Sequence, residues 1–212
     1  MKLGGIVLCG GKSSRMGLAK EALPFGNELM LPRVVRLLGD AVGQIVVVAA
    51  GGQDLPHLPD ETQVVRDRCE GRGPLEGLAA GLEAIQSSVD AAFVTSCDVP
   101  LLEPAFVGRM FALLGEYDVA VPREQDFFHP LAAVYRVGVL SHVERLIEEN
   151  RMRPFFLYQA VHTREVMPEE WTDVDVDSRS LLNLNRPEDY FTALEKAGFA
   201  AAEDVVARLR ET

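Results

Sequence analysis

The sequence predicts an α/β protein built on a mostly parallel β-sheet with helices on both of its faces. Three short apolar runs, at residues 6–9, 44–50 and 91–96, favour buried β-strands. They alternate with segments whose apolar residues recur at helical spacing. Strands and helices that alternate at this length are typical of a parallel sheet covered on both faces.

The remaining elements follow from periodicity and from turn residues. Proline near the start of residues 30–41, and proline at position 187 followed by two acids, are typical of a first helical turn. Residues 151–172 fit no single pattern, although 154–158 could begin a helix. The predicted helices cover residues 30–41, 75–87, 104–115, 138–149, a helix from Pro187 and a closing run to 212. The further predicted strands cover residues 64–65, 117–121, 131–135 and 162–166.

Composition limits the class of protein. The 212 residues, of which 48% are hydrophobic and 25% charged, are enough for one domain, and we expect a single domain over residues 1–212. A formal net charge of −11 argues against a general nucleic-acid-binding surface, because that affinity rests on neutralising phosphates. Three cysteines without metal-type spacing, and apolar runs too short for a signal peptide or membrane span, predict a cytoplasmic protein that binds no membrane.

A glycine-rich stretch follows the first predicted strand. Gly10 and Gly11 end the apolar run, and three cations, Lys12, Arg15 and Lys20, come after them. Glycines let a backbone turn tightly and bring its N–H groups close to a ligand, and cations behind such a loop favour a polyphosphate. A strand-to-helix turn with a solvated basic face is the alternative that these residues leave open.

Counting excludes two familiar phosphate loops here. A P-loop ending at Gly11-Lys12-Ser13 would need a glycine where Ile6 stands, and G-x-G-x-x-G finds no register around Gly10. The stretch instead resembles the signature Leu-x-Gly-Gly-x-Ser-x-Arg-Met-Gly…Lys of the molybdenum cofactor guanylyltransferases, in the MobA-like nucleotidyltransferase family. The matching residues are Leu8, Gly10, Gly11, Ser13, Arg15, Met16, Gly17 and Lys20.

The resemblance implies a Rossmann-like three-layer α/β/α sandwich and a loop that binds a nucleoside triphosphate. It implies catalytic roles for Arg15 and Lys20, which would hold the phosphates. The nucleotide-binding residues implied in this stretch are Leu8, Cys9, Gly10, Gly11, Ser13, Arg15 and Lys20.

Asp98 follows the strand predicted at residues 91–96. A carboxylate at a strand end is a ligand that Mg²⁺ prefers beside substrate phosphates, while a cap of the next helix is the simpler interpretation of Asp98 alone. The surrounding Cys97-Asp98-Val99-Pro100 is similar to the family's second signature, Cys-Asp-x-Pro. That similarity implies that Asp98 binds Mg²⁺ and the nucleotide and takes part in catalysis.

Two further stretches resemble family signatures. Asp67, followed by Gly73-Pro74-Leu75, is similar to an aspartate before Gly-Pro-Leu-x-Gly that closes over the nucleotide, which implies nucleotide contacts for Asp67, Gly73 and Pro74. A plain loop with a surface charge cluster is the alternative for Asp67. Asn183-x-Asn185-x-Pro-Glu-Asp resembles the closing signature, and implies that Asn185 is a second metal ligand. A cap of the last helices is an equal alternative for Asn185.

Two positions depart from the family pattern. Ala19 precedes Lys20 where the family often has an aspartate, and Ala49-Ala50-Gly51 stands where an asparagine often helps to hold the nucleotide. The second departure bears on base recognition.

The resemblance implies transfer of GMP from GTP to molybdopterin with release of pyrophosphate, with Mg²⁺ as cofactor. It also leaves room for transient contact with molybdoenzyme maturation proteins. A cytidylyltransferase for molybdopterin or another phosphorylated small molecule is the alternative within the same fold. A non-catalytic nucleotide-binding protein that delivers cofactor is the alternative from another class.

Overall fold

The protein is described by a computed structural model, which covers residues 1–10, 19–67 and 71–210. Over these residues the strands are β1 Leu3–Cys9, β2 Pro24–Phe25, β3 Glu28–Leu29, β4 Gln44–Ala49, β5 Gln63–Arg66, β6 Ala91–Ser96, β7 Val119–Glu124, β8 Phe127–Phe128, β9 Ala133–Arg136 and β10 Thr163–Val166. The helices are α1 Met30–Gly39, α2 Pro74–Ile85, α3 Pro104–Leu114, α4 Leu140–Glu148, α5 Pro154–Ala160, α6 Pro187–Ala197 and α7 Glu203–Arg210.

Within the described residues, one eight-stranded sheet carries the fold. Its strand order is β10-β7-β9-β6-β1-β4-β5, with β8 paired to β7. The pairs of β1 with β4 and with β6, of β4 with β5 and of β10 with β7 are parallel, whereas β9 runs antiparallel to both of its neighbours. The prediction of a mostly parallel central sheet is therefore confirmed.

Helices cover both faces of this sheet. Alternate residues of β1 point to opposite sides, so that Val7 packs with the buried side chains of α1 and α3. Ile6 and Leu8 pack with those of α2 and α4 on the other side. Helix α2 approaches closely, because a Cβ at Gly81 would lie 2.5 Å from the Cγ2 of Ile6. The three-layer arrangement predicted from the sequence is confirmed.

The C-terminal segment, which contains α6 and α7, packs against the β2–β3 hairpin and the residue before it. Buried residues of α6 and α7, including Tyr190 and Leu209, form a smaller cluster with Leu23 and Phe25 of the β2–β3 hairpin. The Tyr190 hydroxyl donates a hydrogen bond of 2.5 Å to the carbonyl of Pro24. This contact holds the last helices against the residues that follow the glycine-rich stretch.

Several predicted bounds were wrong. A 3₁₀ helix, Pro130–Ala132, occupies the start of the strand predicted at residues 131–135, because proline at position 130 favours a turn there. The strand predicted at 117–121 begins at Val119, and the helix predicted at 138–149 begins with a 3₁₀ turn before α4. Among the described residues, no helix is both long and apolar enough to cross a bilayer.

Candidate functional site

The carboxyl ends of β1, β4 and β6 lie side by side, and two clefts open there. The first, of about 330 Å³, we call the polar cleft; it is lined by Leu8, Cys9, Gly10, Lys20, Glu21, Gln53, Ser96, Cys97, Asp98, Leu131, Asn183 and Asn185. The second, of about 920 Å³, we call the glycine-lined cleft; it is lined by Leu8, Gly10, Val48, Ala50, Asp67, Gly71, Gly73, Pro74, Gly77, Ser96 and Leu131. Leu8, Gly10, Ser96 and Leu131 border both clefts, so the two are neighbours.

The Asp98 side chain accepts three hydrogen bonds in the polar cleft. It comes two residues after β6 ends and is only 8% exposed. Its Oδ1 accepts hydrogen bonds from the Ser96 hydroxyl at 2.5 Å and from the Asn183 amide at 3.0 Å, and its Oδ2 accepts one from Lys20 at 2.8 Å. The buried charge is thus fully partnered, as a carboxylate out of water must be. Helix α3 begins after Glu103, so Asp98 caps no helix.

Lys20 joins Asp98 to the C-terminal segment. It begins the 3₁₀ helix Lys20–Ala22, and its Nζ lies 2.8 Å from Asp98 Oδ2 and 3.0 Å from Asn185 Oδ1. An ammonium carries three N–H donors, and these two contacts leave one for a further acceptor. The remaining N–H of this partly buried ammonium can donate to an anionic ligand that binds beside it.

The two asparagines are carried by a segment that crosses the strand ends before α6. The Leu184 N–H donates to the Asp98 carbonyl at 3.0 Å, which holds this segment beside β6. Asp189 accepts hydrogen bonds at 2.9 Å from the N–H groups of Asn185 and Arg186, and so caps α6. The Asn185 side chain does not serve as that cap, since its Oδ1 faces Lys20.

Two buried cysteines line the polar cleft at the ends of adjacent strands. Cys9 ends β1, and the Cys97 N–H donates to the Leu8 carbonyl at 3.0 Å, one step beyond β6. A hydrogen bond with Cys9 and burial raise the pKa of the Cys97 thiol well above its usual range. Cys97 therefore stays protonated near neutral pH, and a thiolate nucleophile is not expected here.

Apart from Asp67, the glycine-lined cleft is bounded by backbone and by small or apolar side chains. Helix α2 begins at Pro74 after Gly73, whose φ of 106° is a conformation that residues with a Cβ rarely adopt. The Asp67 N–H donates to the Ala49 carbonyl at 2.8 Å, which extends the β4–β5 pairing to the rim of the cleft. Backbone groups are thus exposed along a wall where side chains would otherwise intrude.

Arg72 fastens the loop before α2 to the chain that follows α4. It pairs with the buried Glu76 at 2.7 Å and donates to Asn150 Oδ1 at 3.2 Å. These bonds hold the edge of the glycine-lined cleft in one place, although sequence reasoning gave Arg72 no such role.

The predicted site residues divide between the two clefts. Lys20, Asp98 and Asn185 meet in the polar cleft together with Cys9, whereas Asp67, Gly73 and Pro74 line the glycine-lined cleft. Leu8 and Gly10 border both. The predictions for Gly11, Ser13 and Arg15 fall outside the described residues.

Six residues that line the polar cleft were not predicted from the sequence: Glu21, Gln53, Ser96, Cys97, Leu131 and, as a contact of Asp98, Asn183. Gln53 lies in a Gly-Gly-Gln-Asp stretch that is typical of any surface turn, and nothing nearby signals its bond to Glu21. A usable signal was the pair Ser96 and Asp98, one at the end of a strand that begins with four apolar residues and the other two residues beyond it.

Comparison with known proteins decides the family. The model of the MobA-like NTP transferase domain matches residues 5–163. The chain belongs to that family. A probable molybdenum cofactor guanylyltransferase from Pelotomaculum thermopropionicum is 31% identical over 192 residues, which cover 89% of this chain and 90% of the relative. A relative of the same name from Mycobacterium avium is 34% identical over 193 residues, covering 89% and 93%.

Solved structures agree on the fold of this MobA-like chain. Molybdopterin-guanine dinucleotide biosynthesis protein A from Archaeoglobus fulgidus superposes with a TM-score of 0.75 at 20% identity, covering 93% of this chain and 99% of the other. The 2-C-methyl-D-erythritol 4-phosphate cytidylyltransferase of Thermus thermophilus gives a TM-score of 0.67 at 14% identity, covering 92% and 98%. Both likenesses concern the fold. The family match covers every residue that lines the two clefts except Asn183 and Asn185, which lie beyond residue 163.

Proposed function

We propose that the protein transfers GMP from GTP to molybdopterin and releases pyrophosphate, forming the guanine dinucleotide of the cofactor. The convergence of Lys20, Asp98 and Asn185 in a cleft beside a larger glycine-lined one carries this proposal. Relatives that match nearly the whole chain are named for the same activity, which supports the choice of substrates.

In this proposal the nucleoside occupies the glycine-lined cleft and the phosphates extend into the polar cleft. The volume of about 920 Å³ lies within the range of small-molecule sites, roughly 300–1,000 Å³. Asp67 and the residues at the start of α2, Gly73 and Pro74, contact the nucleoside. Gly10 borders both clefts, and among the described residues other than its chain neighbour no heavy atom lies within 4 Å of a notional Cβ there, which leaves room for a phosphate.

The donor set of the polar cleft suits Mg²⁺. Asp98 Oδ2 and Asn185 Oδ1 already converge on one cation, the ammonium of Lys20, and both are hard oxygens of the kind that Mg²⁺ prefers. Within the described ranges no group of three or more His, Cys, Asp or Glu side chains is placed to hold a metal ion, so few protein ligands would hold the ion. Mg²⁺ commonly keeps several waters and shares substrate phosphates, which fits such a sparse site.

The reaction is an in-line displacement at the α-phosphorus of the nucleotide. An oxygen of the acceptor phosphate forms the new P–O bond, while the bond to the β-phosphate bridging oxygen breaks and its electron pair leaves with pyrophosphate. The Lys20 ammonium donates to phosphate oxygens and neutralises the charge that grows on the leaving group. Bound Mg²⁺ would add further neutralisation of the phosphate charge.

The chain's own residues provide position rather than acid–base chemistry. The nucleophile is already a phosphate anion, so no strong general base is needed. Ser96 and Asn183 fix the orientation of Asp98 through its Oδ1, leaving Oδ2 to face the cation and the substrate. Holding reactants in one geometry is the main means of catalysis for such a displacement.

Pyrophosphate release tests the proposal. The purified protein is incubated with each of the four NTPs, with and without molybdopterin, in the presence of Mg²⁺ or of EDTA. We expect release that requires GTP, molybdopterin and the metal together. Release that requires CTP instead would replace the proposal by a cytidylyltransferase, and tight nucleotide binding without any release would favour a non-catalytic carrier.

A further inference from the structure

Glu21 is a buried carboxylate directly beside Lys20 in the chain. It is 6% exposed, and it lies in the same 3₁₀ helix, Lys20–Ala22. A buried carboxylate is costly unless donors satisfy it. The amide of Gln53 supplies one, with its Nε2 at 2.6 Å from Glu21 Oε1.

Gln53 is itself fixed at the other end of its amide. Its Oε1 accepts from the Ala50 N–H at 3.0 Å, and Arg66 Nη1 donates to the carbonyls of Ala50 and Gln53 at 2.9 and 3.0 Å. Ala50 follows β4 and lines the glycine-lined cleft. One amide side chain therefore ties the helix that carries Lys20 to a wall of the neighbouring cleft.

We propose that Glu21 and Gln53 form a positioning pair that sets the place of Lys20 relative to a nucleotide lying across both clefts. The proposal rests on the proposed function, because it assigns the pair to the triphosphate that Lys20 binds there. Neither side chain touches the reacting atoms. The pair acts through Lys20, because Glu21 belongs to the same 3₁₀ helix.

The chemistry of the pair offers a charge-preserving swap. Gln53→Glu brings two carboxylates together at the Glu21 contact and should push the Lys20–Ala22 helix away. In the double variant with Glu21→Gln, the amide at position 21 donates to the carboxylate at position 53. That carboxylate still accepts a hydrogen bond from the Ala50 N–H. The exchange thus rebuilds the bond between positions 21 and 53 with its donor and acceptor reversed, and it keeps the bond from the Ala50 N–H in its original direction.

Calorimetric titration with GTP and GMP tests the pair. If the pyrophosphate-release assay shows that another NTP is the substrate, that NTP and its monophosphate are used instead. We expect Gln53→Glu to weaken GTP binding about 10-fold or more and GMP binding less than about 3-fold, because a displaced Lys20 loses its charge-assisted contact with phosphates that GMP lacks. The swap, Glu21→Gln with Gln53→Glu, should return GTP binding to within about 3-fold of the wild type, because both bonds are remade.

A double-mutant cycle separates positioning from a general loss of structure. In a Lys20→Ala background, Gln53→Glu should cost no further GTP affinity, because the cation that the pair positions is gone. Gln63→Glu makes the same chemical change at an exposed site on β5 and is the matched control. Gln53→Met, which adds no charge, serves if Gln53→Glu does not fold, and the same loss and the same cycle are then expected.

Any of three results would overturn the positioning pair. The first is an equal loss of affinity for GTP and GMP in Gln53→Glu, and the second is a double variant whose GTP affinity is not restored. The third is a loss of GTP affinity from Gln53→Glu that is just as large in the Lys20→Ala background. None of these measurements needs turnover. A protein that fails to release pyrophosphate would therefore contradict the proposed function while the positioning pair is still tested by binding.

Discussion

The polar cleft and the glycine-lined cleft lie side by side at the same sheet edge but are built in different ways. The polar cleft is a set of side chains joined by hydrogen bonds, with Asp98 accepting from three of them. The glycine-lined cleft is largely backbone, glycine and apolar surface. A single substitution can therefore remove the function of the first, whereas the second is altered mainly by adding atoms or by moving its backbone.

The largest effect is expected in the polar cleft from Asp98→Asn. An amide keeps an Oδ1 for Ser96 and Asn183 but replaces the Oδ2 that faces Lys20, so the fold should survive while turnover falls about 10³-fold, as for the loss of one preorganised charge contact. Pyrophosphate release and circular dichroism are measured together. Asp126→Asn, at a fully exposed side chain, is the control. Normal turnover in a folded Asp98→Asn protein would remove Asp98 from the mechanism.

Lys20→Ala should weaken triphosphate binding far more than monophosphate binding. A charge-assisted contact is worth about 1.5–3 kcal/mol, or roughly 10–150-fold in affinity. Titration with GTP and GMP measures the difference, with the exposed Lys196→Ala on α6 as the control. Equal losses for the two nucleotides would move Lys20 from the phosphates to the sugar or base.

Base choice tests the glycine-lined cleft. Backbone groups can distinguish guanine through its N1–H, its amino group and O6, and each polar group left unpaired by the wrong base costs about 1–3 kcal/mol. We expect GTP to bind more tightly than ATP or CTP in competition titrations with Mg²⁺ present. The tightest binding by CTP would contradict the guanylyltransferase assignment and support the cytidylyltransferase.

The smallest effect is expected from Gly73→Ala at the start of α2. With φ at 106°, a Cβ there is strained by about 1–2 kcal/mol even though its nearest neighbour, the Met152 carbonyl, would be 3.7 Å away. We expect lower stability and weaker GMP and GTP binding by the same factor. Gly138→Ala, in open space and without a positive φ, is the matched control. A loss of affinity for GTP alone would contradict the placement of the nucleoside in the glycine-lined cleft and of the phosphates in the polar cleft.

Local patterns in the sequence predicted the strands that carry the site. The runs that became β1, β4 and β6 are apolar on both sides because helices cover both faces, and such runs are easily recognised. The start of β9 was misjudged because Leu131 is apolar yet follows a proline that makes a 3₁₀ turn. Periodicity cannot distinguish these cases in four or five residues.

The side-chain bonds of the polar cleft were less predictable. Asp98 and Asn185 came from resemblance to family signatures, and their roles remain predictions. No local sequence pattern predicts the Glu21–Gln53 hydrogen bond, because its partners are 32 residues apart and each, taken alone, is typical of a loop. They meet because the fold brings the 3₁₀ helix Lys20–Ala22 close to the turn that follows β4.

The asparagine segment has a consequence for the order in which the molecule is made. The ribosome synthesises Lys20 and Asp98 long before the two asparagines that contact them. Asn183 is 85 residues beyond Asp98, and Asn185 is 165 residues beyond Lys20. A nascent chain that has emerged only as far as residue 163 holds everything that the family model matches, yet its Asp98 lacks one donor and its Lys20 one acceptor. These contacts of Asp98 and Lys20 are completed only when the segment before α6 has been made and crosses the strand ends.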